Sequence, residues 1–353
     1  METMQKEEST KLYPFQFTGK ADEYFKIWIS NIFLSIITLG IYSAWAKVRR
    51  NRYFYANTYL QDSPFEYLAD PLKILKGRLI VFGLFCLYYI PSKFLSGVLP
   101  VLVISILALF AILMIIIIPW IVVKSIAFRA RNSSYRNIRF RFKARYFEAM
   151  GVFVGLLLLS VLSLGLLYPY FVYRKNKFII NNSGYGQTPL VFFAPLKSFY
   201  QIYIKGVGLF LLAMILSAFL GIALSALPTA VLYLALIALF LGVQAYTRAS
   251  VTNLVWSHIS IGNNRFVSSL RTGDILGINI TNSFAISFTL GLMTPWARIR
   301  LMRYRLQNLK LIAADNFDSF IAGEQEKISA VGEEISDFYD MANFFDVDFD
   351  IGI

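Results

Sequence analysis

The chain has 353 residues, 57% hydrophobic and 16% charged, with a mean hydropathy of +0.58; soluble domains average about 45–50% apolar and about 25% charged, so this is the composition of an integral membrane protein. Charge is divided: residues 1–310 carry 33 Lys and Arg against 10 Asp and Glu, and residues 311–353 carry 1 against 11, so a body of +23 precedes a tail of −10. A single cysteine (Cys86) and a single histidine (His258) exclude a disulfide framework, a thiolate zinc site and a multi-histidine centre, which predicts a non-enzymatic protein with no cofactor and no metal.

Residues 1–12 lack the apolar core and small-residue cleavage site of a secretory signal and are expected to stay as a flexible start. Residues 13–130 read as a first membrane repeat. Its Phe15-to-Phe25 stretch predicts a short strand, a turn and an amphipathic helix; the same plan recurs at Phe65–Gly77, Ile138–Phe142 and Phe192–Lys197, and more weakly at His258–Ile261 and Asn316–Phe320. Segments 79–95 and 98–123, joined through Pro91–Gly97, predict one transmembrane hairpin. Residues 131–250 form a second repeat whose hairpin, 206–226 and 229–247, turns at Ala226-Leu-Pro228. Residues 251–312 form a partial third repeat and 313–353 an acidic tail. The basic flanks of both hairpins place their tips outside and the remainder in the cytoplasm.

Segments 27–46, 149–173 and 275–297 carry basic residues on both sides and a central glycine. Each either spans, giving seven helices, or dips in and returns at its glycine; the charge pattern favours the return, with all basic loops cytoplasmic. The three segments share one motif. Thr38-Leu-Gly-Ile-Tyr-Ser-Ala-Trp-Ala-Lys-Val-Arg49 recurs from Ser163 and again from Thr289, with Gly40, Gly165 and Gly291 spaced by 125 and 126 residues. The fifth residue after each glycine is aromatic (Trp45, Tyr170, Trp296), the ninth and twelfth are basic (Arg49 and Arg52, Arg174 and Lys177, Arg300 and Arg303), and the thirteenth is aromatic. Basic residues three apart share a helix face and are candidates for anionic lipid headgroups; the glycine turn and aromatic residue are candidates for close packing and interfacial anchoring.

This motif, the preceding Phe17-Thr-Gly-Lys-Ala-Asp-Glu-Tyr-Phe25 and the terminal Phe345-Asp-Val-Asp-Phe-Asp-Ile-Gly-Ile353 resemble the YjgN family of bacterial inner-membrane proteins over nearly the whole chain. The resemblance implies a bacterial inner-membrane location and supplies no activity, because the family is a domain of unknown function. The second copy departs from the pattern, with Tyr168-Pro-Tyr in place of the tryptophan motif.

No ionisable residue falls at the middle of a predicted span, as a proton- or ion-coupled transporter would require. In the tail, Phe345, Val347, Phe349, Ile351 and Ile353 alternate with Asp346, Asp348 and Asp350, the period of a strand with one buried face, suited to docking on the protein's own β layer or on a protein partner. The fold expected is therefore a polytopic, multi-pass α-helical membrane protein with a threefold internal repeat, two helical hairpins, three glycine-broken segments and a small cytoplasmic β-containing layer, its C-terminus cytoplasmic. Anionic membrane lipids are the expected partners and nucleic acid is not. A conduit or carrier for a lipid or small solute is the first functional expectation; a scaffold presenting its acidic tail is the second.

Overall fold

The computed structural model describes residues 11–94, 100–223, 229–314 and 317–331. The chain alternates pairs of helices with pairs of short strands. Strand β1 (Lys11–Phe17) leads to α1 (Ala21–Ile37) and α2 (Ser43–Ala56), then β2 (Thr58–Leu60) and β3 (Ser63–Tyr67). A long pair, α3 (Pro71–Phe94) and α4 (Pro100–Arg131), precedes β4 (Ser133–Tyr135) and β5 (Ile138–Phe142). The next pair is short: α5 (Tyr146–Met150) runs through a π-helical turn (Gly151–Gly155) into α6 (Leu156–Leu162) and returns as α7 (Tyr168–Asn181), followed by β6 (Ser183–Tyr185) and β7 (Thr188–Phe192). The long α8 (Leu196–Ala223) and α9 (Thr229–Trp256) precede β8 (Ile259–Ile261) and β9 (Asn264–Ser268). The short α10 (Thr272–Phe288) and α11 (Thr294–Gln307) lead to β10 (Leu309–Ala313) and α12 (Phe317–Val331).

The expected β layer is a closed antiparallel barrel of these ten strands in chain order, sealed where β1 pairs with β10 from Lys11↔Ala313 to Pro14↔Lys310. Its register fixes where the helices stand. At one rim the facing pairs are Phe17↔Thr58, Tyr67↔Ser133, Phe142↔Ser183, Phe192↔Ile259 and Ser268↔Leu309, and a helix pair is inserted between the two residues of each. Both feet of every helix pair therefore rest on the same rim. The opposite rim carries tight turns: Gln61-Asp62 and Arg136-Asn137 have positive φ at both positions, and Gly186 and Gly262 begin the other two. Positive φ at the first turn position matches the right-handed twist of flanking strands.

Ten strands enclose more space than the eight that ordinary side chains fill. Aromatic residues occupy it. Phe65, Phe140, Leu190 and Phe266, each central in its strand, belong with Phe15, Tyr135 and Tyr185 to one interior cluster. Ring centroids lie 4.7 Å apart for Phe65–Tyr135 and 5.2 Å for Phe140–Tyr185. The Tyr135 hydroxyl donates to the Leu60 carbonyl at 2.6 Å and that of Tyr185 to the Tyr135 carbonyl at 3.0 Å, so both buried phenols are satisfied.

Each second helix ends at a residue whose carbonyl accepts from the strand across the rim: Asn57 from Thr18, Asn132 from Leu68, Asn182 from Lys143, His258 from Phe193 and Asn308 from Ser269, at 2.8–3.1 Å. The four asparagines also donate Nδ2 to the carbonyl four residues back at 2.8 Å, and His258 Nδ1 meets the Leu254 carbonyl at the same distance. His258 thus fills an asparagine's place. His258→Asn should leave the thermal midpoint within about 1 °C, whereas His258→Ala, losing one hydrogen bond, should cost about 1 kcal/mol; a loss of that size in the asparagine variant would show that the imidazole has another role.

Among the described residues, two helices, Val103–Arg131 and Leu196–Phe219, meet the length and apolarity needed to cross a membrane. The weak strand expected at Asn316–Phe320 is absent: the chain from Phe317 is α12, because Phe317, Phe320, Ile321 and Glu324 have the spacing of one helix face and pack on the turn rim of the barrel. Phe317 lies 5.8 Å from Tyr13 and Phe320 6.3 Å from Tyr185.

Candidate functional site

The three glycine turns share one geometry. Leu39, Leu164 and Leu290 have φ of 50–51°, and Gly40, Gly165 and Gly291 φ of 87–94°. Each glycine N–H donates five residues back (to Ser35, Ser160 and Ile286, 2.7–2.8 Å) and each leucine N–H three back, the bonding of a Schellman helix end. The hydroxyls of Thr38, Ser163 and Thr289 donate to the last turn of the first helix and accept from the backbone N–H of Tyr42, Leu167 and Met293. That accounts for the Thr/Ser-Leu-Gly motif: two hydroxyl bonds, a left-handed residue and a glycine at a φ that L side chains rarely adopt. The three leucines are 94–95% exposed and sit at the summit of each short pair.

Below each summit the second helix returns to the barrel. The first basic residue stands seven positions past the glycine in two pairs (Lys47 and Arg298) and nine in the other (Arg174), about 10–13 Å along a helix, and half a hydrocarbon core is about 15 Å. Apolar side chains crowd the upper part: Ile36 and Ile37, Val161 and Leu162, and Phe288 are 60–83% exposed. Each short pair is therefore apolar at its tip and cationic at its foot.

Arg49 and Arg52 are both exposed on α2, and Arg52 donates to the Ala69 carbonyl at 3.4 Å. Arg303 donates to the Gly19 carbonyl at 2.8 Å, the corresponding loop of the next helix pair round the barrel. Arg300 lies 5.2 Å over the Trp296 ring and donates to Thr281. Lys177 donates to the Tyr173 hydroxyl at 3.3 Å and stands over that ring, while Arg174 is half-buried on α7. Trp45 stacks on Tyr42 at 6.2 Å and Tyr170 lies 6.4 Å from Tyr173. The aromatic residue at position thirteen has a bonding role: Tyr53 and Tyr304 hydroxyls accept from the backbone N–H of Lys20 and Arg271 and donate to Glu23 and Asp274. Phe178 lacks the hydroxyl.

Asn31 and Asn282, 251 residues apart, are polar residues of apolar segments, of the kind expected to bond across helices, and they pin the first helix of a pair to the second by donating Nδ2 to the Ala46 and Ala297 carbonyls at 3.3 and 3.2 Å. Their equal offset from Gly40 and Gly291 was the available signal. The tail residues Phe345, Val347, Phe349 and Ile351 lie outside the described residues.

Residues 12–338 match the family described as bacterial protein of unknown function, DUF898. The chain belongs to that family. Relatives within it are named inner membrane protein YjgN: the Salmonella typhimurium protein is 26% identical over 84% of this chain and 87% of its own length. The Escherichia coli O157:H7 and K12 proteins are 30% and 33% identical over 37% of this chain and 31% of theirs. No solved structure gives a significant match. A DUF898 chain is thus a membrane protein whose relatives carry no assigned catalysis; the aromatic cluster lies inside its barrel and α12 packs on the turn rim.

Proposed function

We propose that this DUF898 protein is a non-enzymatic lipid-handling protein of the bacterial inner membrane, its barrel at the cytoplasmic surface and its helix pairs in the bilayer. The observation that carries the reading is the common rim: all five described helix pairs leave one end of the barrel, with cations at their feet, and the three short pairs have apolar tips. On this reading α3–α4 and α8–α9 cross, the three short pairs enter one leaflet and return, and the recurrent glycine turn marks a repeated unit. The basic residues Arg49, Arg52, Arg174, Lys177, Arg300 and Arg303 then lie at the depth of phosphates, where each cation contributes about 1 kcal/mol of attraction to anionic lipid.

Replacing Arg49, Arg174 and Arg300 with Gln tests this, since Arg52 and Arg303 also hold backbone carbonyls. Native mass spectrometry of the purified protein should show co-purified phosphatidylglycerol and cardiolipin falling by more than half. An unchanged lipid profile in a correctly inserted variant would leave these residues only a topogenic role. A scaffold role is the second reading, favoured by α12: it seats the start of the acidic tail on the rim away from the helices, where a soluble partner has access.

A further inference from the structure

We infer that the outer wall of the barrel, from β7 round to β1, is the docking surface of the chain's own C-terminal segment, Phe345–Ile353, a contact that does not depend on the lipid-handling reading. The strand register lines up two rows of outward side chains across that wall. One runs Val191↔Ser260↔Arg265↔Ile312↔Leu12; the other runs Val267↔Lys310↔Pro14, with Phe193 beyond it. Val191, Phe193 and Leu12 are 45–53% exposed, and Val267 is exposed beside them. The other half of the wall differs, since Glu66, Arg139 and Arg141 hold its outward positions. An apolar patch confined to half of a barrel marks an interaction surface. The described strands form a closed ring, so an added segment finds no edge to extend and meets only this face.

Pattern, charge and reach name the occupant. Laid out as a strand, Phe345–Ile353 puts its five apolar residues on one side over about 27 Å, and the wall from Val191 to Leu12 crosses four strand spacings, about 19 Å. The apolar side then covers the patch and the aspartates face outward along the segment's edge. Strands β7–β10 and β1 contain no Asp or Glu. Arg265, whose guanidinium lies 5.7 Å from the Phe193 ring, and Lys310 supply the charge that Asp346, Asp348 and Asp350 would meet. The described chain also ends in the right place. A Cβ on Gly186 would touch Ile328 at 3.4 Å, so α12 delivers the tail to the turn before β7, where the apolar half of the wall begins. Residues 332–344 bridge up to about 43 Å when extended, more than the wall requires.

The test uses the full chain in lipid nanodiscs holding one copy each, which keeps a neighbour's tail out of the measurement. In a Cys86→Ser background, Val191→Cys and Leu12→Cys report access of a water-soluble maleimide to the apolar wall, and Glu66→Cys reports the other wall. Adding Phe349→Ser/Ile351→Ser to the tail should speed labelling at both apolar-wall positions on the order of tenfold, because a tethered segment docks at a high effective concentration, and should leave Glu66→Cys unchanged. Rates at Val191→Cys and Leu12→Cys that ignore the tail substitutions would overturn the inference: slow rates would mean that lipid covers the wall, and fast ones that it stands bare. Such a failure leaves the lipid-handling reading to be judged by the Arg49, Arg174 and Arg300 variants alone.

Discussion

Replacing Glu324 with alanine should cost about 3 kcal/mol and detach α12 from the barrel. The side chain is fully buried and accepts from the Gln187 and Thr188 N–H groups at 2.8 and 3.1 Å, the Thr188 hydroxyl at 2.6 Å and Lys327 at 2.7 Å. Truncation leaves two backbone donors and a hydroxyl buried without an acceptor, each costing about 1–3 kcal/mol before relaxation or water entry. Burial pushes the Glu324 carboxyl up, but the bonds from Lys327, Thr188 and Gln187 outweigh it and hold it below the ordinary glutamate value; the hydrogen bond from Arg136 likewise lowers Asp318. Both groups bind a proton less readily when docked than when free, so their contribution is complete at neutral pH and disappears as pH falls through the docked values. Docking should therefore hold from pH 7 to about 5 and weaken below about 4. Hydrogen exchange of residues 317–331 reads both effects. Undiminished protection in the alanine variant would mean that Phe317, Phe320 and Ile321 hold the helix unaided.

Labelling at the four barrel turns should be all or none. Asp62, Asn137, Gln187 and Asn263 are exposed at the rim opposite the helix pairs. Single cysteines there, in a Cys86→Ser background, should all resist a membrane-impermeant thiol reagent in intact cells and all react after permeabilisation. The barrel makes this uniform: strands hydrogen-bonded to one another cannot lie on opposite sides of a bilayer, because a sheet edge exposed in hydrocarbon costs several kcal/mol per unpaired group. Cysteines at Leu39, Leu164 and Leu290 should react in neither condition. Labelling at Gln187 alone would contradict the closed barrel and restore the seven-span topology, in which Arg174, Lys175 and Lys177 face outward.

The glycine turns were legible because each depends on adjacent residues with narrow chemical requirements: a hydroxyl, a left-handed leucine and a glycine. The barrel was less so. Strands such as Thr58–Leu60 and Ser183–Tyr185 are too short to display a period of two, and the ring residues Phe15, Phe65, Phe140 and Leu190 follow at alternating offsets of 50 and 75, so the period of 125 links alternate members and leaves each neighbouring pair unrelated. His258 hid one rim position by standing where the others have asparagine. At Phe317–Phe320 the phenylalanines three apart fit a helix better than a strand, and the burial of Ile321 and Glu324 decides between them. Asn31 is a polar residue in an apolar segment, but nothing in one sequence distinguishes an asparagine with a spare acceptor from one that is fully bonded.

The seam between β1 and β10 sets an order of assembly. Lys11 pairs with Ala313, so β1 has no permanent neighbour on that side until the last described helix pair, α10 and α11, has been made. Closing a loop of about 300 residues is slow by diffusion alone, yet the entropy lost grows only logarithmically with length, and anchoring the intervening helices in a membrane removes most of that search beforehand. A nascent chain interrupted after β9 would present two bare strand edges at the membrane surface, competent to pair with another such chain. For this architecture β1 and β10 act as a clasp, and the barrel is complete only once the clasp has met.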